Sequence, residues 1–172
     1  MTSQAVRLAS LIAAISFWSV LGTTAWAEES NTAALATAMK NAKATLQRGL
    51  RASKAQGTPI SAKFEIEDGN LQLKIYTMKG DDFMEVVVDP NTGTIAKAEE
   101  ITDAMDLSAA IEQKAAMEKA TVPLLTAADA AVKANAGARA VSIIPELKNR
   151  HATAEVTLLA RNTFKKVSEK LD

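Results

Sequence analysis

Around Gly57 the hydrophobic period of the chain switches from about 3.6 to 2. Upstream, Leu35, Met39, Ala42, Leu46 and Leu50 recur at spacings of four, three, four and four. That spacing predicts one helix from Thr32 to about Ser53, with Asn31 or Thr32 as its N-cap. Gly57 and then Pro59 end it in the usual order. Downstream, Ile60, Ala62, Phe64 and Ile66 alternate with Ser61, Lys63, Glu65 and Glu67. Asp68-Gly69 accepts positive φ cheaply and marks a hairpin. Leu71, Leu73 and Ile75 alternate with Gln72, Lys74 and Tyr76, and Lys79-Gly80-Asp81 makes a second turn. A third strand holds Phe83, Met84, Val86, Val87 and Val88. Asp89-Pro90-Asn91-Thr92-Gly93 is a third turn, with Pro90 at its second position and Gly93 closing it. Thr94 to Ala98 is a short fourth strand. The expected unit is a helix on an antiparallel meander.

Asp103 to Ala120 reads as a helix or helical linker ended by Pro123. A further helix starts at Thr126 and stops at Asn135-Ala136-Gly137. Alternation then returns at Val141, Ile143 and Ile144, and at Ala152, Ala154, Val156 and Leu158. A last strand runs from Phe164 to Leu171. The second half therefore repeats the first: helix, Gly, strand, turn, strand, turn, strand. Gly57 with Gly137 and Phe64 with Ile144 are 80 positions apart, while Leu71 with Ala152 is 81 apart. The second copy stops where the turn at Asp89 to Gly93 would fall. The expected fold class is α+β, in two tandem modules with a thin core each and a shorter second copy. The expected boundaries are a signal peptide at 1–27, a first module at 28–102, a helical linker at 103–123 and a second module at 124–172.

The leader is read from Arg7, the uncharged run Leu8 to Gly22, and Ala25-Trp26-Ala27 with small residues at the two cleavage positions Ala25 and Ala27. An uncleaved anchor is the rival, since the charge-free run to Ala27 is 20 residues long. Cleavage implies a periplasmic or secreted chain, with a membrane in play only if the leader stays.

Composition narrows the chemistry. Basic and acidic residues are 20 each, and loss of Arg7 leaves 19 against 20 in residues 28–172. That balance argues against a nucleic-acid partner. There is no Cys and one His, which excludes disulfides, thiol chemistry and paired-histidine sites. Alanine supplies 34 of the 172 residues, so the 48% apolar content overstates the core.

At this point the chain resembles the PepSY family. The resemblance rests on the helix Ala33 to Leu50, Gly57, the strand Lys63-Phe64-Glu65-Ile66-Glu67-Asp68-Gly69, and Met84 to Gly93, which ends Val-Asp-Pro-Asn-Thr-Gly. It covers residues 33–101 well and extends to 124–171 as a degenerate copy without the Asp-to-Gly turn. The family implies an α+β module found in propeptides of secreted proteases and in free-standing exported domains. It implies no catalytic residues; Asp89, Pro90, Thr92 and Gly93 are a fold signature. The implied role is non-enzymatic binding of an unidentified protein or peptide in the envelope, restraining a protease or assisting folding, with no cofactor.

A few other side chains have the chemistry a site would use. Asp81, Asp82, Glu85 and Asp89 are candidates for a weak Ca²⁺ site, against solvated turn chemistry. They carry the alternative function, a small-ligand or metal-ion module in envelope homeostasis. Glu65 and Glu67 share a strand face and read as its wet side. His151 reads as a turn residue, and Met39, Met84, Met105 and Met117 as gap-fillers. No Ser lies in a nucleophile elbow, and the seven glycines are dispersed. The Phe164–Leu171 strand is expected at a sheet edge, where a peptide adds as a strand or where Lys165, Lys166, Glu169 and Lys170 protect it. Both tryptophans, Trp18 and Trp26, lie in the leader. Purified exported protein is therefore expected to show no indole fluorescence; an indole band would mean the leader is retained.

Overall fold

The computed structural model describes the backbone of residues 23–172 and the side chains of residues 31–172. Of the leader, Met1–Gly22 lies outside the described residues; Ala25 and Ala27 fall early in the first helix, with their side chains outside the described set. The elements are α1 (Thr23–Met39), α2 (Leu46–Ser53), β1 (Thr58–Glu67), β2 (Asn70–Lys79), β3 (Asp82–Val88), β4 (Ile95–Glu100), α3 (Ala104–Met117), α4 (Leu124–Ala134), β5 (Ala138–Lys148), β6 (His151–Ala160) and β7 (Thr163–Lys170).

The seven strands form one antiparallel sheet in the order β4-β3-β2-β1-β5-β6-β7. Two thin cores, each a helix on a small sheet, were expected, and the sequence left open whether the two modules share a sheet or core. Here β1 and β5 pair at the centre. The main core is continuous from Val86 and Val88 on β3, through Ala62 and Ile143, to Val156 and Leu158 on β6.

The single helix expected over Thr32–Ser53 is two helices. The backbone N–H groups of Lys43 and Ala44 donate to the Pro90 carbonyl at 3.0 and 2.9 Å. That contact pulls the chain out of helical geometry, and Thr45 restarts it by accepting from the Arg48 N–H. The expected apolar face survives the break, because Met39, Ala42, Leu46 and Leu50 all reach the main core. Asn31 and Thr32 lie inside α1, so neither is its N-cap. In α2 the buried positions are Leu46, Gly49, Leu50 and Ser53, a spacing of i, i+3, i+4, i+7. A Cβ on Gly49 would lie 2.5 Å from Leu73 Cδ2, so the glycine lets α2 sit directly on β2.

The segment expected as a helix or helical linker is a helix packed on the sheet. Asp103 caps α3, accepting from Met105 and Asp106 N–H groups, and Ala110 and Ala116 are fully buried. Strand alternation fixes its side: Leu73 and Ile75 meet α2 in the core that α4 also enters, while Tyr76 packs with Phe83, Leu107 and Ala110. Thus α2 and α4 cover one face and α3 the other. The second helix starts at Leu124 rather than Thr126, with Pro123 preset at its N-cap.

The strands of the two halves correspond at 81 positions throughout. The bulges lie at Ile60 and Val141, and the tight turns at Asp68-Gly69 and Asn149-Arg150. All four turn residues have positive φ, as a primed hairpin turn requires. The expected equivalence of Phe64 with Ile144 is therefore off by one. Phe64 matches Pro145, both buried, and Ile144 points to the other face. The buried helix positions Leu46, Gly49, Leu50 and Ser53 match Leu124, Ala127, Ala128 and Ala131 at 78. Three extra residues at the end of α4 absorb the difference, which is why no one spacing fits the whole sequence.

One side chain ties the helical start of the chain to the second half. Arg139 on β5 donates to the carbonyls of Met39, Ala42 and Ala44 at 2.7, 3.0 and 3.0 Å. These carbonyls are left over where the helix breaks, and a guanidinium fork spans them. Arg139→Ala is expected to cost about 2 kcal/mol in denaturant unfolding. Arg139→Lys should recover only part of that, because one ammonium does not reach three carbonyls.

Candidate functional site

The four acidic candidates are dispersed by the strand that carries them. Asp82 opens β3 and Asp89 follows its end, seven positions on, a span of roughly 23 Å in extended chain. Asp81 pairs with Lys114 of α3 at 2.6 Å. Asp89 Oδ1 accepts from the Asn91 and Thr92 N–H groups at 2.8 Å each, which holds its carboxyl below the usual range. The signature turn is thus a side-chain-capped turn, with Gly93 at φ 71° accommodating the Arg48 side chain. Its Pro90 carbonyl is the acceptor that breaks the first helix. Among the described residues, no group of three or more His, Cys, Asp or Glu is placed to hold a metal ion.

Glu85 points instead into a charged network on the α3 face of the sheet. Lys74 Nζ lies 2.8 Å from Glu67, 3.1 Å from Glu65 and 3.6 Å from Glu85. Lys63 adds a pair to Glu65 at 2.6 Å. The paired carboxylates Glu65 and Glu67 are therefore lysine ligands on a sheet face. Burial works to lower the Lys74 ammonium, but the hydrogen bonds it donates to Glu67 and Glu65 and the charges of Glu65 and Glu85 override it and hold it well above the ordinary lysine range. The Lys74 hydrogen bond lowers Glu67. Burial raises Glu85 against the pull of Lys74. Beside it, burial raises the Tyr76 phenol, and the Asp106 carboxylate of α3 raises it further.

A second feature, a concavity, lies at the other end of α3. It is an open groove of about 1130 Å³. Met78, Met117 and Leu125, each half-buried, supply its apolar surface over the buried Leu50, Pro59 and Leu124; Lys54, Lys79, Lys114, Asp81 and Glu118 supply charge. Gly57 permits the close approach on one side: its φ is 152°, and a Cβ there would meet the Met78 carbonyl at 2.7 Å. Lys114 closes the α3 end, bonding Asp81 and reaching the Gly80 carbonyl at 3.4 Å. The matching end of the second half has only a hollow of about 170 Å³, lined by Ala138, Leu158 and Lys165 among others. There no α3 end and no Pro123–Leu125 segment build the far wall.

The sequence reading did not find this groove. Its residues come from α2, the β1 start, the β2–β3 turn, α3 and the α4 start, so no local spacing joins them. Gly57 and Gly80 were the visible signs, but Gly57 reads simply as a helix terminator and Gly80 as part of a turn. The remaining candidates are placed as surface features. His151 Nδ1 lies 2.8 Å from Asp172 Oδ2, with most of its ring exposed. β7 is an edge strand, and so is β4. No helix among the described residues is long and apolar enough to cross a membrane.

Residues 33–99 match the family model described as PepSY, peptidase propeptide and YPEB domain. The match spans the end of α1, α2 and most of the four-stranded meander. The family is associated with protease propeptide regions and with exported proteins, and its domains are typically non-catalytic. No curated protein and no solved structure matches the chain.

The Lys74 network sets a pH window. A raised lysine contributes stability below the ordinary lysine range and loses it as pH rises through the raised value. A lowered carboxylate such as Glu67 contributes above the ordinary carboxylate range and loses it as pH falls. Glu85, raised by burial, acts in the opposite sense and costs stability once ionised. Lys74→Met leaves three carboxylates facing one another. The variant is expected to be less stable than wild type at neutral pH and to regain most of the difference as pH falls through the carboxylate range. Thermal melts across pH check this; a pH-independent deficit would assign Lys74 a packing role only.

Proposed function

We propose that the chain is an exported, non-enzymatic PepSY-like protein that binds a protein or peptide in the cell envelope. Restraint of a protease or assistance to another exported protein is the mode this reading favours. The observation that carries it is the family match over residues 33–99, joined to a fold of the same helix-on-meander form. The leader-like start, with Ala25 and Ala27 at the cleavage positions, supports a periplasmic or secreted location. The correspondence of β5–β7 with β1–β3 supports a second, degenerate copy of the unit, so that 28–102 and 124–172 derive from one module. The main core common to both makes them one body.

Affinity capture from an envelope fraction tests the role. The tagged full chain is expected to retain a specific partner, identified by mass spectrometry and absent from a tag-only control. Recovery of none across growth phases and salt conditions would overturn the reading.

A further inference from the structure

We propose that the groove beside Gly57 is the peptide-binding site, and that it takes an extended segment of a partner protein in which apolar side chains are flanked by carboxylates. This rests on the binding role proposed above and names its site and the chemistry of its partner.

The floor sets the apolar half of the pattern. Met78, Met117 and Leu125 present half-buried apolar surface to the groove, backed by the buried Leu50, Leu124 and Pro59. Burying such surface drives association at about 25 cal/mol per Å² before ordering costs. Two methionines make the floor adaptable, since an unbranched thioether repacks around different side chains. The groove is open and larger than the pockets of about 300–1000 Å³ that enclose small ligands. That shape suits a chain passing through rather than a molecule enclosed.

The rim sets the charged half. Of its three lysines, Lys114 is committed to Asp81 and is drawn on by Glu118. Lys54 and Lys79 form no ion pair among the described residues. They stand on two elements of the groove, at the end of α2 and the end of β2. Residues 28–172 carry one more acid than base, so this cationic rim is local. Carboxylates on a bound peptide complement it, and complementary charge raises the rate of encounter and selects against basic segments. The sheet edges offer less. β7 carries Lys165, Lys166 and Lys170, a row that blocks strand addition.

The test uses the full chain labelled with ¹³C at methionine methyls. Met78 and Met117 report on the groove; Met39, Met84 and Met105 lie elsewhere and serve as internal controls. Two blocked heptapeptides are titrated, Glu-Leu-Pro-Leu-Glu-Leu-Glu and its analogue with Lys for every Glu. The acidic peptide is expected to shift Met78 and Met117 saturably and leave the controls unmoved. Lys54→Glu with Lys79→Glu should weaken that binding several-fold and strengthen binding of the basic peptide. Both positions are exposed, and an unchanged melting temperature verifies the fold. Equal response to the two peptides, shifts confined to the control methionines, insensitivity to the double variant, or no response at all would each overturn the proposal. Affinity capture with the same variant separates the two levels. A partner retained equally by wild type and variant leaves the binding role and removes the groove; a partner retained by neither removes the role.

Discussion

The pairing of β1 with β5 is the constraint on which the rest of the structure depends. Its register runs through Ala62↔Ile143 and Lys63↔Ser142, against ten pairs between β5 and β6. The reasons it is so short are chemical. Continued one way, the register sets Phe64 against Val141, the bulged residue of β5. Continued the other way, it sets Ile60 against Pro145, and Pro59 precedes the β1 bulge. Prolines donate no ladder bond, and bulges bend a strand away from its partner. Ala62 faces Ile143, its own counterpart at 81 positions, so an approximate two-fold axis passes through the middle of the sheet. A seam of so few pairs depends on what is packed over it.

That packing follows from the same axis. It brings α2 and α4 together on one face, where Arg51 reaches Asp129 at 3.9 Å. Small residues keep both helices low on the sheet: Gly49 in α2, and Ala127, Ala128 and Ala131 in α4. On the other face α3 crosses β1, β5 and β6, bridging the seam. Arg139 adds a third tie, from β5 to the break between α1 and α2. The two halves therefore stabilise each other although the hydrogen-bonded joint between them is narrow. The first half alone would expose Ala62 and Phe64 along an open β1 edge.

The strands and turns were legible in the sequence because their signals are local. Alternation at Ile60–Ile66 and Ala152–Leu158 and the Asp68-Gly69 pair need no tertiary information. The helix break was not legible, because its cause, the Pro90 carbonyl, lies more than 40 residues downstream of Lys43. The spacing of 80 misled because it averaged a helix offset of 78 with a strand offset of 81. The role of α3 was hidden by composition. An Ala-rich, charged stretch reads only as a helix or helical linker until the sheet supplies the face that buries Ala110 and Ala116. The groove was least legible of all, since it exists only where five chain segments meet.

The distribution of charge separates structural from binding surface. On the sheet face Lys74 is matched by three carboxylates at 3.6 Å or less. An ion with all its partners in place has little to gain from a ligand, which would have to displace them. At the edges the lysines of β7 are part of the protection, with Lys166 on Glu155 at 2.8 Å and Lys165 on Asn135 at 2.8 Å. At the groove the balance is reversed: Lys54 and Lys79 stand beside an apolar floor with their charge unspent. Unmatched cations next to dry surface are retained cheaply in water and gain most when an acidic, apolar segment arrives. The same argument explains why the smaller hollow of the second half is a poor second site. Its one lysine, Lys165, already bonds Asn135, and without the α3 wall a bound chain would bury too little apolar surface to offset its ordering.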